Sequence, residues 1–416
     1  MMAVEGPFIA AIIARLAEPK YNLAAYWVAY AFALIIEAPV IMMLSAATAL
    51  VKDKQSFLKL RSFTYLLNGV ITAVMLVILI PPVFDWITMK LMSLPENIAH
   101  LTHRALIILL PWPGAIGYRR FYQGILIRNN LTRRVAYGTV IRLLAMSSCA
   151  LILYHFFEVH GAYVGAAALT AGVSIEAIMS RLMVHKTLQK ICADQSIPQA
   201  ENMLNYRKIR SFYTPLALTS LIGLAVHPLV TFFLGQSRFP VESLAVMSVI
   251  HSLVFIFRSL GLSFMEVVVA LIGEDLKGYL PLRRFAIMLG SGVVCGLGVI
   301  AFTPLSEWWF EVVSGLSTDL ADFALTPTRI LVLMPALSVL LSFQRGVLVM
   351  GRKTTVVSFA TGIEVGAIII ILSIAIYYLN AVGAIAAAVS FVLGRLSSNT
   401  YMFHHIRKIL LKIKSV

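Results

Sequence analysis

The sequence predicts an all-α integral membrane protein with about twelve transmembrane helices, arranged as two six-helix bundles. Composition is the first observation: of 416 residues, 60% are hydrophobic and 13% charged, and the mean hydropathy is +0.88. So few polar side chains cannot cover the surface of a water-soluble globule. The second observation is a tandem repeat, in which the stretch 111–134 recurs in weaker form 222 positions later. Self-similarity at so long a period indicates two homologous halves, as in many membrane proteins built from internal repeats.

The helices follow from the apolar runs, because a spanning helix needs about 20 predominantly apolar residues. Residues 22–51, 57–83, 97–126, 133–156 and 160–185 predict five helices in the first half, and 211–234, 240–273, 282–303, 321–348, 353–379 and 381–405 predict six in the second. The repeat supplies a partner for 211–234, because the apolar segment that ends near Leu16 matches its second part. This first helix is predicted to be short or truncated. Six helices in each half make the two halves parallel repeats.

The repeat and the polar stretches between the apolar runs divide the chain. We predict a first six-helix bundle at 1–187, a polar linker at 188–207, a second bundle at 208–405 and a basic tail at 406–416. Residues 84–95 and 305–316, which match each other in the repeat, are predicted to form short interfacial helices.

Basic residues accumulate in alternate connections, as they do on the cytoplasmic side of membrane proteins. These connections, with the C-terminal tail, hold 25 of the 34 lysines and arginines, whereas the opposite connections hold only Lys20, Lys90 and Arg238. The pattern predicts a multi-pass protein of the cell's inner membrane with both termini in the cytoplasm.

Several classes of function are excluded by composition and motif. The net charge of +15 does not indicate nucleic acid, because the basic residues lie in short clusters between apolar runs. The three cysteines, Cys149, Cys192 and Cys295, have no metal-binding spacing. Gly346 to Thr354 resembles a phosphate-binding loop, but an extra arginine interrupts the motif and no strand precedes it. We therefore expect no enzyme activity, no cofactor, no metal and no nucleic-acid partner, and we expect a monomer whose partners are the lipid bilayer and a small solute.

Charged side chains within the apolar runs are the candidate functional residues, because each costs at least about 2.5 to 3.5 kcal/mol to insert at mid-bilayer. The candidates for gating or ion coupling are the carboxylates Glu37, Glu176, Glu266 and Glu364, and the candidates for substrate binding are the arginines Arg142, Arg258 and Arg329. A guanidinium group suits the bidentate recognition of phosphate or carboxylate. The alternative is that these charges form salt bridges that fix the packing of the helices.

The repeat suggests which charges pair. Arg142 maps onto Glu364, and Glu37 lies one position from the equivalent of Arg258. If the equivalent helices face each other across a central cleft, Glu37 would meet Arg258 and Arg142 would meet Glu364.

A second group of candidates lies where the stretch 111–134 begins. Arg119, Arg120 and Gln123 follow Pro111 and Pro113 toward the predicted cytoplasmic end of a helix. They form either a binding surface for polyanions or an ordinary orientation signal with side chains that reach the membrane surface. A further proline, at position 39, predicts a kink beside Glu37.

The runs 37–51 and 110–126 with Arg119-Arg120-Phe121-Tyr122-Gln123-Gly124, followed by Tyr137-Gly138 to Arg142, resemble the progressive ankylosis protein family. The resemblance implies membership of the multidrug, oligosaccharidyl-lipid and polysaccharide flippase superfamily, with a MATE-like fold of two six-helix bundles around a central cavity. It also implies export of small polyanions such as pyrophosphate, ATP or citrate.

These inferences together predict a secondary-active, alternating-access exporter of polyanions with an arginine-lined cavity. Three alternatives remain open: a cation-coupled multidrug antiporter that uses Glu37 or Glu364, a flippase for a lipid-linked phosphate, and a regulatory or scaffold protein that moves no solute.

Overall fold

The structure is a computed structural model that describes residues 2–193, 204–273, 278–351 and 353–414. Within these ranges the chain is almost entirely helical. The β-type backbone pairing in them is an isolated parallel bridge between Arg238 and Val382. The all-α class predicted from the sequence is confirmed.

The first set of helices is α1 (Glu5–Ala14), α2 (Pro19–Ile41), α3 (Met43–Leu50), α4 (Lys54–Ile78), α5 (Pro81–Asp85), α6 (Glu96–Ile108), α7 (Pro111–Arg128), α8 (Thr132–Phe156) and α9 (Gly161–Ala193). The second set is α10 (Tyr206–Gly235), α11 (Pro240–Leu271), α12 (Tyr279–Phe302), α13 (Leu305–Glu307), α14 (Thr318–Leu331), α15 (Met334–Met350), α16 (Thr354–Ser373) and α17 (Gly383–Lys414). Among the described residues, nine helices or helix pairs are long and apolar enough to cross a membrane. The helices α1, α6 with α7, and α17 lie at the other three positions where the sequence predicts a span.

The repeat is visible in local geometry as well as in helix order. A six-residue π-helical turn at Trp86–Leu91 recurs 222 positions later at Trp308–Val313. Each turn is followed by a residue with positive φ, Ser93 at 56° and Gly315 at 75°. These turns extend α5 and α13, so the short helices predicted at 84–95 and 305–316 are present.

Two predicted long helices are each broken in two. The predicted helix 97–126 ends at Ile108 as α6 and begins again at Pro111 as α7, and the predicted helix 321–348 divides at the equivalent place into α14 and α15. The physical reason is proline in the first turn of α7 and α15, which has no N–H to donate and whose ring clashes with the preceding turn.

The kink predicted at Pro39 lies slightly further along the chain. Helix α2 continues through Pro39 to Ile41, and the interruption occurs at Met42 before α3. The carbonyl groups freed there have side-chain partners: Ser220 Oγ donates to Ala38 O at 2.6 Å, and the Tyr213 hydroxyl donates to Pro39 O. Helix α10 thus satisfies backbone groups that lipid could not.

The chain forms two compact units. The first consists of Ala25–Pro228 with the short segments Met1–Glu5 and Leu16–Glu18, and the second of Leu229–Val416 with Gly6–Arg15 and Pro19–Ala24. The predicted domain boundary at 188–207 falls partly outside the described residues and stays a prediction. Each unit has its own apolar core, centred on α3, α4 and α7 in the first and on α11, α12 and α15 in the second.

Helices α3 and α7 approach closely at Gly124, and we expect Gly124→Ala to destabilise the protein. An added Cβ would lie 2.5 Å from Leu44 O and 2.6 Å from Ala47 Cβ, and the first of these is backbone that no rotamer change can move. Overpacking of this kind costs about 1 to 3 kcal/mol. The melting temperature of the purified protein should therefore fall by several degrees. Gly69→Ala is the matched control, because a Cβ there meets no atom within 4 Å; equal melting temperatures for the two variants would contradict the prediction.

Candidate functional site

The first unit contains a buried network of charges that we call the first charged site. Its members are Glu5 on α1, Arg119 and Gln123 on α7, Arg142 on α8 and Glu176 on α9. Glu176, with no exposed surface, is at the centre. Arg119 Nη1 donates to Glu176 Oε2, Gln123 Nε2 donates to Oε1 at 2.9 Å, and Arg142 Nη1 lies 3.8 Å from Oε2. One carboxylate thus holds side chains from two other helices.

Arg142 also connects this network to the first helix. Its Nη2 donates to Glu5 Oε2 at 2.5 Å, and both side chains are about nine-tenths buried. The two carboxylates therefore share Arg142 between them. Breaking a buried pair by removing one partner leaves an uncompensated charge, so the network is expected to fix the arrangement of α7, α8 and α9 around the Glu5 carboxylate.

Helical spacing and glycines create the first charged site. Positions 119 and 123 are one turn apart and project from the same face of α7. On α8, Gly138 lies one turn before Arg142, and a Cβ there would be 3.5 Å from Glu176 Cγ. On α9, a Cβ at Gly172 would lie 3.1 Å from Arg142 O. Small residues thus let α8 and α9 pack closely enough for their charges to meet.

Glu37 and Arg120 lie near the first charged site in the same unit. The positive charges acting on Glu37 are those of Arg119, Arg120 and Arg142. Glu37 is buried, and its Oε2 has no hydrogen-bond partner among the described residues; the same is true of Arg120 Nε. Glu37 is therefore a buried carboxyl group with an unused oxygen in a positive environment.

The second unit contains a corresponding cluster, the second charged site, formed by Arg258 on α11, Ser338 and Arg345 on α15, Glu364 on α16 and Arg395 on α17. Arg395 Nε donates to Glu364 Oε1 at 2.8 Å, and Nη2 forms an ion pair with the same oxygen at 2.8 Å. Arg395 Nη1 donates to Ser338 Oγ at 3.3 Å. Arg258 Nε donates to the same hydroxyl at 3.3 Å. The Ser338 hydroxyl therefore contacts both Arg258 and Arg395, and Glu364 is the carboxylate of this cluster.

Arg345 adds a third positive charge to the second charged site. Its Nη2 donates to Thr361 Oγ1 at 3.1 Å, and Thr361 lies one helical turn before Glu364 on α16. Its Nε is buried and has no hydrogen-bond partner among the described residues. The charges that act on Arg345 are those of Arg395 and Glu364. The second charged site thus has three arginines and one carboxylate, whereas Arg119, Arg120 and Arg142 in the first unit are balanced by Glu5, Glu37 and Glu176.

The two charged sites occupy equivalent places in the repeat. Arg142 and Glu364 are equivalent, and so are Gln123 and Arg345. The close approach at a glycine is repeated as well. A Cβ at Gly394 would lie 3.1 Å from Glu364 O, and a Cβ at Gly172 would lie 3.1 Å from Arg142 O. The duplication has kept the helix crossing and changed the charges.

The predicted site residues fall into four groups. Arg119, Gln123, Arg142 and Glu176 meet in the first charged site, Arg258 and Glu364 belong to the second, and Glu37 and Arg120 adjoin the first. Arg119 is 2% exposed and paired, so it is not an orientation signal whose side chain reaches the membrane surface. Two residues lie elsewhere: Arg329 is exposed and donates to Ala301 O at 3.2 Å, and Glu266 is exposed on α11.

The pairs predicted across the repeat stay predictions. What the structure shows is pairing within each unit: Arg142 with Glu5 and Glu176, and Glu364 with Arg395. Arg142, Arg258 and Glu364 each have a side-chain partner in their own unit, whereas Glu37 has an oxygen without a hydrogen-bond partner among the described residues.

Sequence reasoning missed Glu5, Ser338 and Arg345. The repeat contains a signal for Arg345, because its equivalent is Gln123, which was a candidate. Ser338 and Arg345 are seven positions apart, which places them on one helix face. For metal binding, the described ranges contain no group of three or more His, Cys, Asp or Glu side chains that could hold an ion.

Comparisons with known proteins find the fold among solved structures only. No protein-family model matches the chain, and a search of curated proteins finds no match. One solved structure is a multidrug resistance MATE family transporter of the MOP superfamily in an inward-facing conformation, with a TM-score of 0.78 and 14% identity over 100% of this chain and 96% of that one. Another is the lipid II flippase MurJ, with a TM-score of 0.73 and 15% identity over 99% and 87%.

A third similar structure is a MOP superfamily transporter from Pyrococcus furiosus, which is described as having a binding pocket of reverse polarity that suggests a different function. Its TM-score is 0.61, with 16% identity over 99% of this chain and 96% of that one. The chain therefore has the MATE-like membrane fold, shared along its whole length.

Proposed function

We propose that this chain is a secondary-active, alternating-access transporter of the MOP superfamily that exports small polyanions of the pyrophosphate, nucleotide or citrate type. The observation that carries the proposal is the second charged site, with three arginines and one carboxylate in an apolar helical unit. Positive charge that is buried among apolar membrane-spanning helices without enough carboxylates costs free energy unless a bound anion compensates it.

The chemistry of the second charged site suits a multivalent anion. Guanidinium groups bind phosphate and carboxylate oxygens through paired, charge-assisted hydrogen bonds. Arg345 Nε has no hydrogen-bond partner within the described part of the chain, and Arg258 donates to the neutral hydroxyl of Ser338. Both arginines can therefore bind an anion without first breaking an ion pair.

Glu364 would act as the competitor of the substrate. It holds Arg395 when no anion is bound, and release of Arg395 would complete a three-arginine site. Glu37 and Glu176 could do the same for the arginines of the first unit. The exchange of partners gives each site two arrangements, which alternating access requires.

The similar solved structures support transport as the general activity and leave the solute open. They include a multidrug resistance transporter, a lipid II flippase and a transporter whose binding pocket has reverse polarity. The same fold therefore occurs with binding pockets of different polarity. The resemblance to the progressive ankylosis family favours polyanions. The asymmetric distribution of basic residues favours an inner-membrane location with both termini in the cytoplasm.

The test is transport of labelled pyrophosphate, ATP and citrate in proteoliposomes. We expect saturable movement of at least one of these anions, and a decrease of about fivefold or more in kcat/KM for Arg258→Ala, which corresponds to the loss of roughly 1 kcal/mol of anion binding. Arg329→Ala is the control, because that exposed arginine lies outside both charged sites. If the two variants are equally active, or if no anion moves, the proposal is wrong.

A second candidate function rests on Glu37, the buried carboxyl group with an unpartnered oxygen. Such a group could bind a proton or sodium ion in a cation-coupled multidrug antiporter. Under this alternative, a cationic dye would move in a pH-dependent way, Glu37→Gln would abolish that movement, and Arg258→Ala would be mild. A flippase for a lipid-linked phosphate would instead move a labelled lipid and none of the three soluble anions.

A further inference from the structure

The second unit has an apolar groove on the surface formed by α12, α15 and α17. Its walls include Ile287 and Gly290 on α12, Ala336 and Leu340 on α15, and Phe403 on α17, and its volume is about 300 Å³. This is at the lower end of the range of about 300 to 1,000 Å³ found for small-molecule pockets. Ile287, Leu340 and Phe403 are exposed, so the groove is open along one side.

The equivalent positions of the first unit differ in chemistry, although Gly114, Tyr118 and Arg181, the equivalents of Ala336, Leu340 and Phe403, also line a pocket there. In the first unit, the equivalents of Ile287, Leu340, Gln344 and Phe403 are Tyr65, Tyr118, Tyr122 and Arg181. Tyr65 stacks on Tyr118 with ring centroids 6.1 Å apart, its hydroxyl lies 3.1 Å from that of Tyr122, and Arg181 lies over the Tyr122 ring. Polar aromatic side chains thus interact with one another in the first unit at the positions where the second unit has apolar groove walls.

A glycine at the centre of the groove strengthens this comparison. Gly290 is equivalent to Asn68, whose side chain donates to Gly114 O at 3.2 Å. Gly114 is equivalent to Ala336, and a Cβ at Gly290 would lie 3.7 Å from the Ala336 Cβ, which is an ordinary contact. A side chain is therefore tolerated at this position, and glycine leaves open the space that Asn68 uses in the first unit.

One end of the groove is polar and positively charged. Arg283 and Tyr279 line it, and Tyr279 begins α12. Arg283 lies four residues further along, about 6 Å from the helix start at 1.5 Å per residue, so it is within the first turns of α12. Gln344, which is 2% exposed, also lines the groove, and its Oε1 has no hydrogen-bond partner among the described residues.

We propose that this groove binds an anionic phospholipid with a hydroxyl-bearing headgroup. One acyl chain lies between α12 and α15 over Gly290, the phosphate is bound by Arg283, and a headgroup hydroxyl donates to Gln344 Oε1. Basic pockets between transmembrane helices recognise acidic lipid headgroups in this way. The apolar walls accommodate the acyl chain, and the positive charge of Arg283 gives the groove its selectivity for a negatively charged headgroup.

The test measures the melting temperature of the full-length protein in detergent with added phosphatidylglycerol or phosphatidylcholine of identical acyl chains. We expect phosphatidylglycerol to raise it by about 2 °C or more above the value in phosphatidylcholine. Arg283→Gln should abolish this difference, whereas Arg284→Gln, at the exposed neighbour outside the groove, should keep it. Gly290→Leu should abolish the stabilisation by filling the groove, whereas Gly292→Leu, which faces open space on the same helix, should keep it.

Three results would overturn the proposal. Equal stabilisation by the two lipids would mean that the groove holds ordinary bilayer lipid. Equal losses in Arg283→Gln and Arg284→Gln would mean a diffuse charge effect. An equal shift with glycerol phosphate, which has the headgroup but no acyl chains, would mean an anion site without a lipid. If Gly290→Leu fails to give folded protein, the two arginine variants decide the question.

Discussion

The melting temperature of purified Glu176→Gln is expected to lie about 6 to 20 °C below that of the wild type. Glu176 is fully buried and is the carboxylate that Arg119 and Arg142 share. Glutamine keeps the shape of the side chain but removes the charge, so two buried arginines would have Glu5 as their remaining carboxylate partner in the first charged site. Removing one partner of a buried ion pair costs about 3 to 5 kcal/mol, and about 2 to 4 °C are lost per kcal/mol in a unit of this size.

The matched control for Glu176→Gln is Glu266→Gln, which removes an exposed carboxylate and should change the melting temperature little. The double variant Arg119→Met/Glu176→Met tests the cause. If uncompensated charge is responsible, removal of both charges should recover much of the lost stability. A double variant that melts as low as Glu176→Gln would show instead that shape and hydrogen bonding at this position matter more than charge.

Much of the fold follows from the sequence because hydropathy and the repeat report on it directly. The apolar runs predict the spans, and the repeat predicts a short first helix and the two short helices that carry the π-helical turns. The interruptions at Met42, at 109–110 and at 332–333 could not be located in the same way. A proline in an apolar run is compatible with either a bend or a break, and packing against neighbouring helices decides between them.

The charged sites were only partly predictable. The cost of burying charge identifies Arg142, Glu176 and Glu364, but depth along a helix does not show which neighbour a side chain faces. Arg119 therefore remained ambiguous until α9 placed Glu176 against it. Glu5 was missed because it begins a helix of ten residues that gives a weak spanning signal. Arg345 was missed because it lies close in sequence to the basic pair Arg352 and Lys353, although α15 continues for five residues beyond it.

Binding of pyrophosphate to purified Glu364→Gln is expected to be about 10- to 100-fold tighter than binding to the wild type. The prediction rests on the proposed anion transport. In the wild type, an anion must compete with Glu364 for Arg395, and the negative charge of that carboxylate also repels it. A neighbouring charge is typically worth about one to two pKa units, or about 1.4 to 2.7 kcal/mol, which corresponds to the expected 10- to 100-fold change in affinity. Isothermal titration of the detergent-purified protein measures the effect, with Glu266→Gln as the control.

Transport by Glu364→Gln should decrease although binding becomes tighter. Release of the anion requires Arg395 to return to a carboxylate, and glutamine offers it no charge. Proteoliposomes should therefore show a lower KM and a lower kcat for the variant, because a ligand that binds one state of a transporter too tightly shifts the population toward that state. A variant that binds pyrophosphate no better than the wild type would show that Glu364 holds Arg395 for the packing of α16 and α17 and does not compete with the substrate.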